Sequence, residues 1–327
     1  MHSIVRDPRT RIPLALGLTA FVACAKGENA STDSATAKAA DTAAAAAPAL
    51  FASVGATDSM KTPESVRYDA DLDAYFVSNI NGNPSQKDGN GFIARVDAGN
   101  TSAMTMVVQG GKGGVTLNAP KGMAIVGDTL WVADIDAVRA FNKRTGAAIA
   151  TVDLRPMKAE FLNDVVAGPD GAIYITDSGI RFDAQGGMTH PGQDQIFKIS
   201  GRKPTVAFKS DSALKAPNGI AWDGSNGRFI LGPFNDKVVS AWKDGDSTVT
   251  VVGTGPGGYD GVEVLRDGRI LVTSWADSSV HVIANGTFRK VIGNVEGPAD
   301  IGVDTKRNVV ALPRFNAGRV EYFTITP

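Results

Sequence analysis

The seventeen residues LNDVVAGPDGAIYITDS, positions 162–178, decide the fold. They read as a short polar word (Leu162-Asn163-Asp164), an alternating apolar run, a Pro169-Asp170-Gly171 turn and a second alternating run that ends on Asp177-Ser178. A tight Asp-Gly turn between two such runs joins antiparallel neighbours, because parallel pairing needs a long crossover. The design recurs five more times: PESVRYDADLDAYFVSN from Pro63, PKGMAIVGDTLWVAD from Pro120, PNGIAWDGSNGRFILGP from Pro217, YDGVEVLRDGRILVTSW from Tyr259 and PADIGVDTKRNVVALPR from Pro298. The second residue of each word marks a common register: Glu64, Lys121, Asn163, Asn218, Asp260 and Ala299, spaced 57, 42, 55, 42 and 39 residues apart. Steps near 40 match a four-stranded propeller blade. The two longer steps hold glycine-rich polar loops at 79–91 and 178–194. No stretch after residue 50 carries an extended helical period. The expectation is an all-β, six-bladed β-propeller over residues 50–327. Its last unit offers three strands, 300–303, 308–312 and 319–325, and the N-terminal strand at 50–54 is expected to close that blade as its fourth.

Composition narrows the function. Lys and Arg number 33 against 34 Asp and Glu, so nothing attracts a polyanion and no nucleic-acid partner is expected. Arg6, Arg9 and Arg11 precede an apolar stretch, 12–23, that is too short to span a bilayer and has the pattern of an export signal. Phe21-Val22-Ala23-Cys24 resembles a lipobox, with Cys24 as the lipidated residue; ordinary cleavage at Ala23-Cys24-Ala25 would instead release a soluble protein. The chain thus divides into a signal peptide at 1–24, a disordered Ala/Ser/Thr-rich linker at 25–49 and the propeller. It is expected to be exported, and to touch a membrane only through a lipid anchor at Cys24, facing the periplasm or cell exterior. Cys24 is the single cysteine, so the propeller has no disulfide, thiolate metal site or cysteine nucleophile.

In a propeller the starts of the innermost strands converge at one mouth of the central channel. The register column brings there two carboxylates, Glu64 and Asp260, and two amides, Asn163 and Asn218. A donor set made only of oxygen suits one hard divalent cation, Ca²⁺ foremost and Mg²⁺ or Mn²⁺ less closely, with the softer Zn²⁺ a further possibility. Asn218-Gly219 and Asp260-Gly261 are also ordinary turn formers; it is the set of four donors in one register that points to a site. Lys121 occupies the same column, where it could orient a carbonyl group or pair with a carboxylate. His190, in the long loop 178–194, could act as a lid residue or second base, or simply be solvated. Arg314, on the rim of the last unit, could hold substrate or face water. Trp131, Trp222, Trp242 and Trp275 are expected to pack between blades, and His281 to be structural.

The words PESV, LNDVVAGPDGAIYITD, PNGIAWD and DGVEVLRDGRILVTSW resemble those of the senescence-marker-protein/gluconolactonase/luciferin-regenerating (SGL) family, and the resemblance covers nearly all of 50–327. It implies that Glu64, Asn218 and Asp260 hold the cation, that Asn163 contacts water or substrate beside it, and that Asp260 is also a candidate general base. It implies hydrolysis of a lactone, often a sugar lactone. One departure stands out: where the family places a sugar-binding arginine, two residues before the third-blade asparagine, this chain has Phe161. The alternatives are a non-catalytic, calcium-binding propeller that captures a ligand or partner, and a strictosidine-synthase-like or NHL-type scaffold with a similar blade word.

Overall fold

The computed structural model describes residues 51–326. The expected signal peptide, Cys24 and the linker at 25–49 lie outside the described residues. Six four-stranded antiparallel sheets account for nearly all the regular structure. Their inner strands are Pro63–Asp69, Pro120–Val126, Leu162–Ala167, Pro217–Asp223, Tyr259–Val264 and Gly302–Asp304. Each is the first strand of a repeat unit, and the blades run outward from it in chain order. The sixth sheet is completed as anticipated. Phe51–Thr57 pairs antiparallel with Arg319–Ile325 at its outer edge, with Phe51 opposite Ile325 and Thr57 opposite Val320. That pairing covers an edge that would otherwise present unpaired amides and carbonyls.

The hydrophobic core is not central but divided into six wedges between neighbouring blades. Val66, Tyr75 and Val77 of the first blade meet Ala311, Val320 and Tyr322 of the sixth. Phe76 and Ile93 meet Met123, Leu130 and Phe141 of the second. Corresponding wedges join the second to the third blade, the third to the fourth, the fourth to the fifth and the fifth to the sixth. This is why both faces of each middle strand are apolar: Ala74–Asn79, Ile173–Asp177 and Ile270–Ser274 are buried at every position. Trp242 and Trp222 lie in the wedge between the third and fourth blades, and Trp131 in that between the second and third, as expected. Trp275 does not; it sits at the channel mouth.

One irregularity repeats around the ring and positions the site. In each blade the first residue of the repeat word pairs with the end of the second strand: Pro63 with Asn79, Pro120 with Asp134, Leu162 with Asp177, Pro217 with Pro233, Tyr259 with Ser274. Immediately afterwards the register slips, so that Ser65 faces Ser78 and Gly219 faces Gly232. The extra residue is a β-bulge, which bends the strand and re-aims the side chain it carries. The sixth blade shows the same slip between the Pro298–Arg314 bridge and the Gly302–Ala311 pair. The register column lies in these bulges.

Candidate functional site

The bulged residues open into a cavity of about 430 Å³ at one end of the channel. Glu64, Lys121, Asn163, Asn218 and Asp260 all line it, although they come from five different blades. Each is almost fully buried, at 5%, 1%, 3%, 6% and 4% exposure. His190 and Arg314 are not among the lining residues. His190 Nε2 lies 2.8 Å from Asp194 Oδ1. The Arg314 guanidinium binds Glu321 at 3.0 Å and the Asn294 carbonyl at 3.0 Å.

Four buried side-chain oxygens in this cavity have no hydrogen-bond partner: Glu64 Oε2, Asn163 Oδ1, Asn218 Oδ1 and Asp260 Oδ1. Leaving a buried acceptor unsatisfied costs about 1–3 kcal/mol, and more when it is charged. Four at one place therefore call for a shared partner. The orientation of Asn163 is fixed by its neighbours. Ser178 Oγ donates to the Pro217 carbonyl at 2.7 Å, so the hydroxyl oxygen must accept from Asn163 Nδ2 at 3.2 Å, and the amide oxygen is left over. On Asp260, Trp275 Nε1 donates to Oδ2 at 2.8 Å and leaves Oδ1 free.

Charge tells the same story. Burial pushes the Glu64 carboxyl well above the usual carboxylate range, and the charges of Asp260 and Asp300 push it further. Asp260 is raised by burial and by Asp300, against the pull of the Trp275 hydrogen bond. Among the described residues Lys121 is the one cation lining the cavity. Its Nζ donates to the Ala119 carbonyl at 3.2 Å and stands 4.2 Å above the Phe161 ring. Burial lowers its pKa to about 8, although Glu64 pulls it upward. Among the described residues no group of three or more His, Cys, Asp or Glu side chains forms a metal-type cluster. A cation here would rest on two carboxylates and two amide oxygens, a set that fits a hard divalent ion and not a thiolate- or imidazole-seeking one.

Several contributing residues stand at the ends of the repeat words, away from the register column. Asp134 accepts from the Asn118 and Ala119 amides at 3.0 and 2.9 Å, and Asp177 from the Phe161 and Glu160 amides at 2.8 and 3.1 Å. These carboxylates end the second strands and hold the loops that lead into Lys121 and Asn163. Burial raises Asp177 to about 6, and the hydrogen bonds from those same amides and from Gln195 hold it from rising further. Deeper in the channel, Arg67 binds Asp164 at 3.0 Å and Asp300 at 2.8 Å. Trp275 occupies the position just past the second strand of its blade, as Ser178 does in the third. That shared position was the available signal for both.

Above this floor the walls are apolar: Ile80, Pro84, Phe161, Ile180, Phe182, Phe234, Trp275 and Phe315, with Asn316 at the rim. The two long loops supply part of them and are joined to each other. Asn83 Nδ2 donates to the Asp183 carbonyl at 2.7 Å, and the Phe182 amide donates to Ser85 Oγ at 2.9 Å.

Comparison with solved structures finds similar propellers. A luciferin-regenerating enzyme superposes with a TM-score of 0.63 at 13% identity, covering 83% of this chain and 95% of the other. A calcium-binding protein, regucalcin, from Agrobacterium tumefaciens does so with a TM-score of 0.62 at 14% identity, covering 82% and 91%. At such identities the likeness speaks for the fold. Among curated proteins no sequence matches. A sequence model of the family described as the SMP-30/gluconolactonase/LRE-like region matches residues 62–303, most of the propeller. This chain belongs to the SMP-30/gluconolactonase/LRE-like family.

Proposed function

We propose that this propeller is a divalent-metal-dependent hydrolase that opens a lactone, with Ca²⁺ as the first candidate ion. The observation that carries the proposal is the group of four buried, unpartnered oxygens in one cavity. Glu64, Asn218 and Asp260 would hold the cation, with Asn163 beside it. When bound, the ion would offset the two anions and polarise an ester carbonyl. Asp260 suits a second role. With Oδ2 fixed by Trp275, its Oδ1 can accept the proton of a water as that water attacks the carbonyl carbon. The ring C–O bond then breaks, and the same proton passes to the departing alkoxide. Lys121 Nζ has one bond to a carbonyl and further hydrogens to offer, so it can orient the substrate oxygen. No serine, cysteine or lysine nucleophile is needed. The apolar walls limit water around the reacting ester and so strengthen these charge interactions.

Lactone hydrolysis followed by a pH indicator, with and without chelator, tests this reading. Turnover that is lost with chelator, restored by Ca²⁺ and lowered at least 100-fold in Asp260→Asn supports it. A second reading, a non-catalytic cation-binding propeller, is favoured by Phe161 standing where the family's arginine would bind sugar. Calorimetric Ca²⁺ binding without turnover across a broad lactone panel would select it. We further propose that the domain works outside the cytoplasm, anchored through Cys24. The apolar stretch before that cysteine supports the anchor, and loss of membrane association in Cys24→Ser tests it.

A further inference from the structure

Resting on the hydrolase reading above, we propose that the substrate is a neutral lactone or cyclic ester bearing an apolar alkyl or aryl group, not a polyhydroxylated sugar lactone. The cavity is sharply two-toned. Among the described residues every charged side chain lining it lies on the floor, in the register column, and the wall above contributes a single polar side chain, Asn316. The chain has only 23 aromatic residues, 14 Phe, 5 Tyr and 4 Trp, yet five of them line this one cavity.

These aromatics do not belong to the wedges that hold the blades together. Phe161, Phe182 and Phe234 form a small separate cluster with Ile180, and Phe315 packs in another with Ile80. Their ring contacts fall into two sets. Phe161 and Phe182 lie 5.8 Å apart between centroids, while Trp275 sits 6.2 Å from Phe234 and 5.5 Å from Phe315 in edge-on contacts. Phe182, Phe234, Trp275 and Phe315 stay half-exposed. Apolar surface left facing a cavity gains free energy when a ligand covers it.

A polyol would meet the opposite situation. Each hydroxyl brought against these walls would lose water and find no partner, apart from the one at Asn316. Nor does the rim supply a cation for a sugar acid: Arg314 is engaged by Glu321 and the Asn294 carbonyl. Lys121 is held on the floor against the face of the Phe161 ring. The ester group therefore belongs on the polar floor and the substituent among the aromatic rings of the wall. A cavity of about 430 Å³ has room for a medium-length chain or a ring.

The test is a homologous series on the full, Ca²⁺-loaded chain: δ-hexalactone, δ-octalactone and δ-decalactone, with glucono-δ-lactone as the polyol of the same ring size. The expected result is a kcat/KM that rises with each added methylene, by up to about fourfold per group, and exceeds that for glucono-δ-lactone at least tenfold for the longest member. Phe182→Ser, which alters the mouth but no blade wedge, should flatten the rise. A flat series, or glucono-δ-lactone turned over as well as δ-decalactone, overturns this proposal while the hydrolase reading stands. If no lactone is turned over, the non-hydrolysable 2-alkylcyclohexanones of matching length are measured by calorimetry. Chain-length-dependent binding then upholds the apolar ligand class and sinks only the hydrolase, whereas no binding at any length overturns the proposal.

Discussion

Two carboxylates and two amides that point unpartnered oxygens into one buried space give the site a testable electrostatic signature. Glu64 and Asp260 both have folded-state pKa values raised above their ordinary 4.5 and 3.8, chiefly by burial. A raised pKa means that the folded chain binds more protons than the unfolded one, so stability falls as pH rises from the ordinary carboxylate range through the folded-state values. For the chelated protein we expect the melting temperature to be highest on the acid side of that window and to drop across it. Ca²⁺ should cancel the drop and, at about 100 times its dissociation constant, raise the melting temperature by about 5–10 °C. Asp260→Asn and Glu64→Gln should each remove one buried anion. Both variants should be more stable than the parent at neutral pH under chelator and should lose most of the Ca²⁺ response. Thermal scans over pH, with and without Ca²⁺, check all of this; a chelated parent whose stability rises with pH would contradict it.

At the level of the strand, the bulge turns a sequence word into a site. Inner strands approach one another so closely at the bulge that glycine is required there. A Cβ on Gly219 would come within 2.1 Å of the Asp260 carbonyl oxygen, and one on Gly261 within 2.5 Å of the Ile301 amide nitrogen. Both contacts are to backbone, which can give way only by moving the neighbouring strand. Gly219→Ala is therefore expected to cost about 3 kcal/mol, read as a lower denaturant midpoint. It should also weaken Ca²⁺ binding, since the carbonyl it meets belongs to a donor residue; an unchanged midpoint would show that the ring is looser than described. This level also marks what the sequence could reveal. The column of Glu64, Asn163, Asn218 and Asp260 was legible because the repeats place equivalent residues at equivalent heights. The partners that orient it were not. Ser178 and Trp275 act on Asn163 and Asp260 from the far end of a hairpin, and Asp134 and Asp177 act on backbone amides, which carry no side-chain pattern. His190 and Arg314 were drawn in by the loops they stand on, and neither lines the cavity: His190 pairs with Asp194 and Arg314 with Glu321.

For the molecule as a whole, six blades had to become one ring, and closure occurs at two radii. The outer closure, the pairing of Phe51–Thr57 with Arg319–Ile325, was readable from a last unit one strand short. The inner closure was not, because Arg67 looks like any exposed arginine of an alternating strand until the ring forms. It belongs to the first blade, yet it binds Asp164 of the third and Asp300 of the sixth, and donates to the Ile301 carbonyl at 2.9 Å. Asp164 in turn accepts from the Ile220 amide of the fourth blade at 2.9 Å, and Ser65 Oγ donates to Asp300 at 2.6 Å. One guanidinium thus ties together elements about 230 residues apart, where the Glu64 carbonyl also accepts from the Asp300 amide at 2.8 Å. Removing it would strand two buried carboxylates beside each other beneath Glu64 and Asp260. Breaking a buried pair from one side costs about 3–5 kcal/mol, so Arg67→Met should lose that much in denaturant unfolding. Because the stranded anions lie under the donor column, the loss should shrink as pH is lowered and they take up protons. A loss independent of pH would mean that Arg67 contributes through packing of its methylenes and not through its charge.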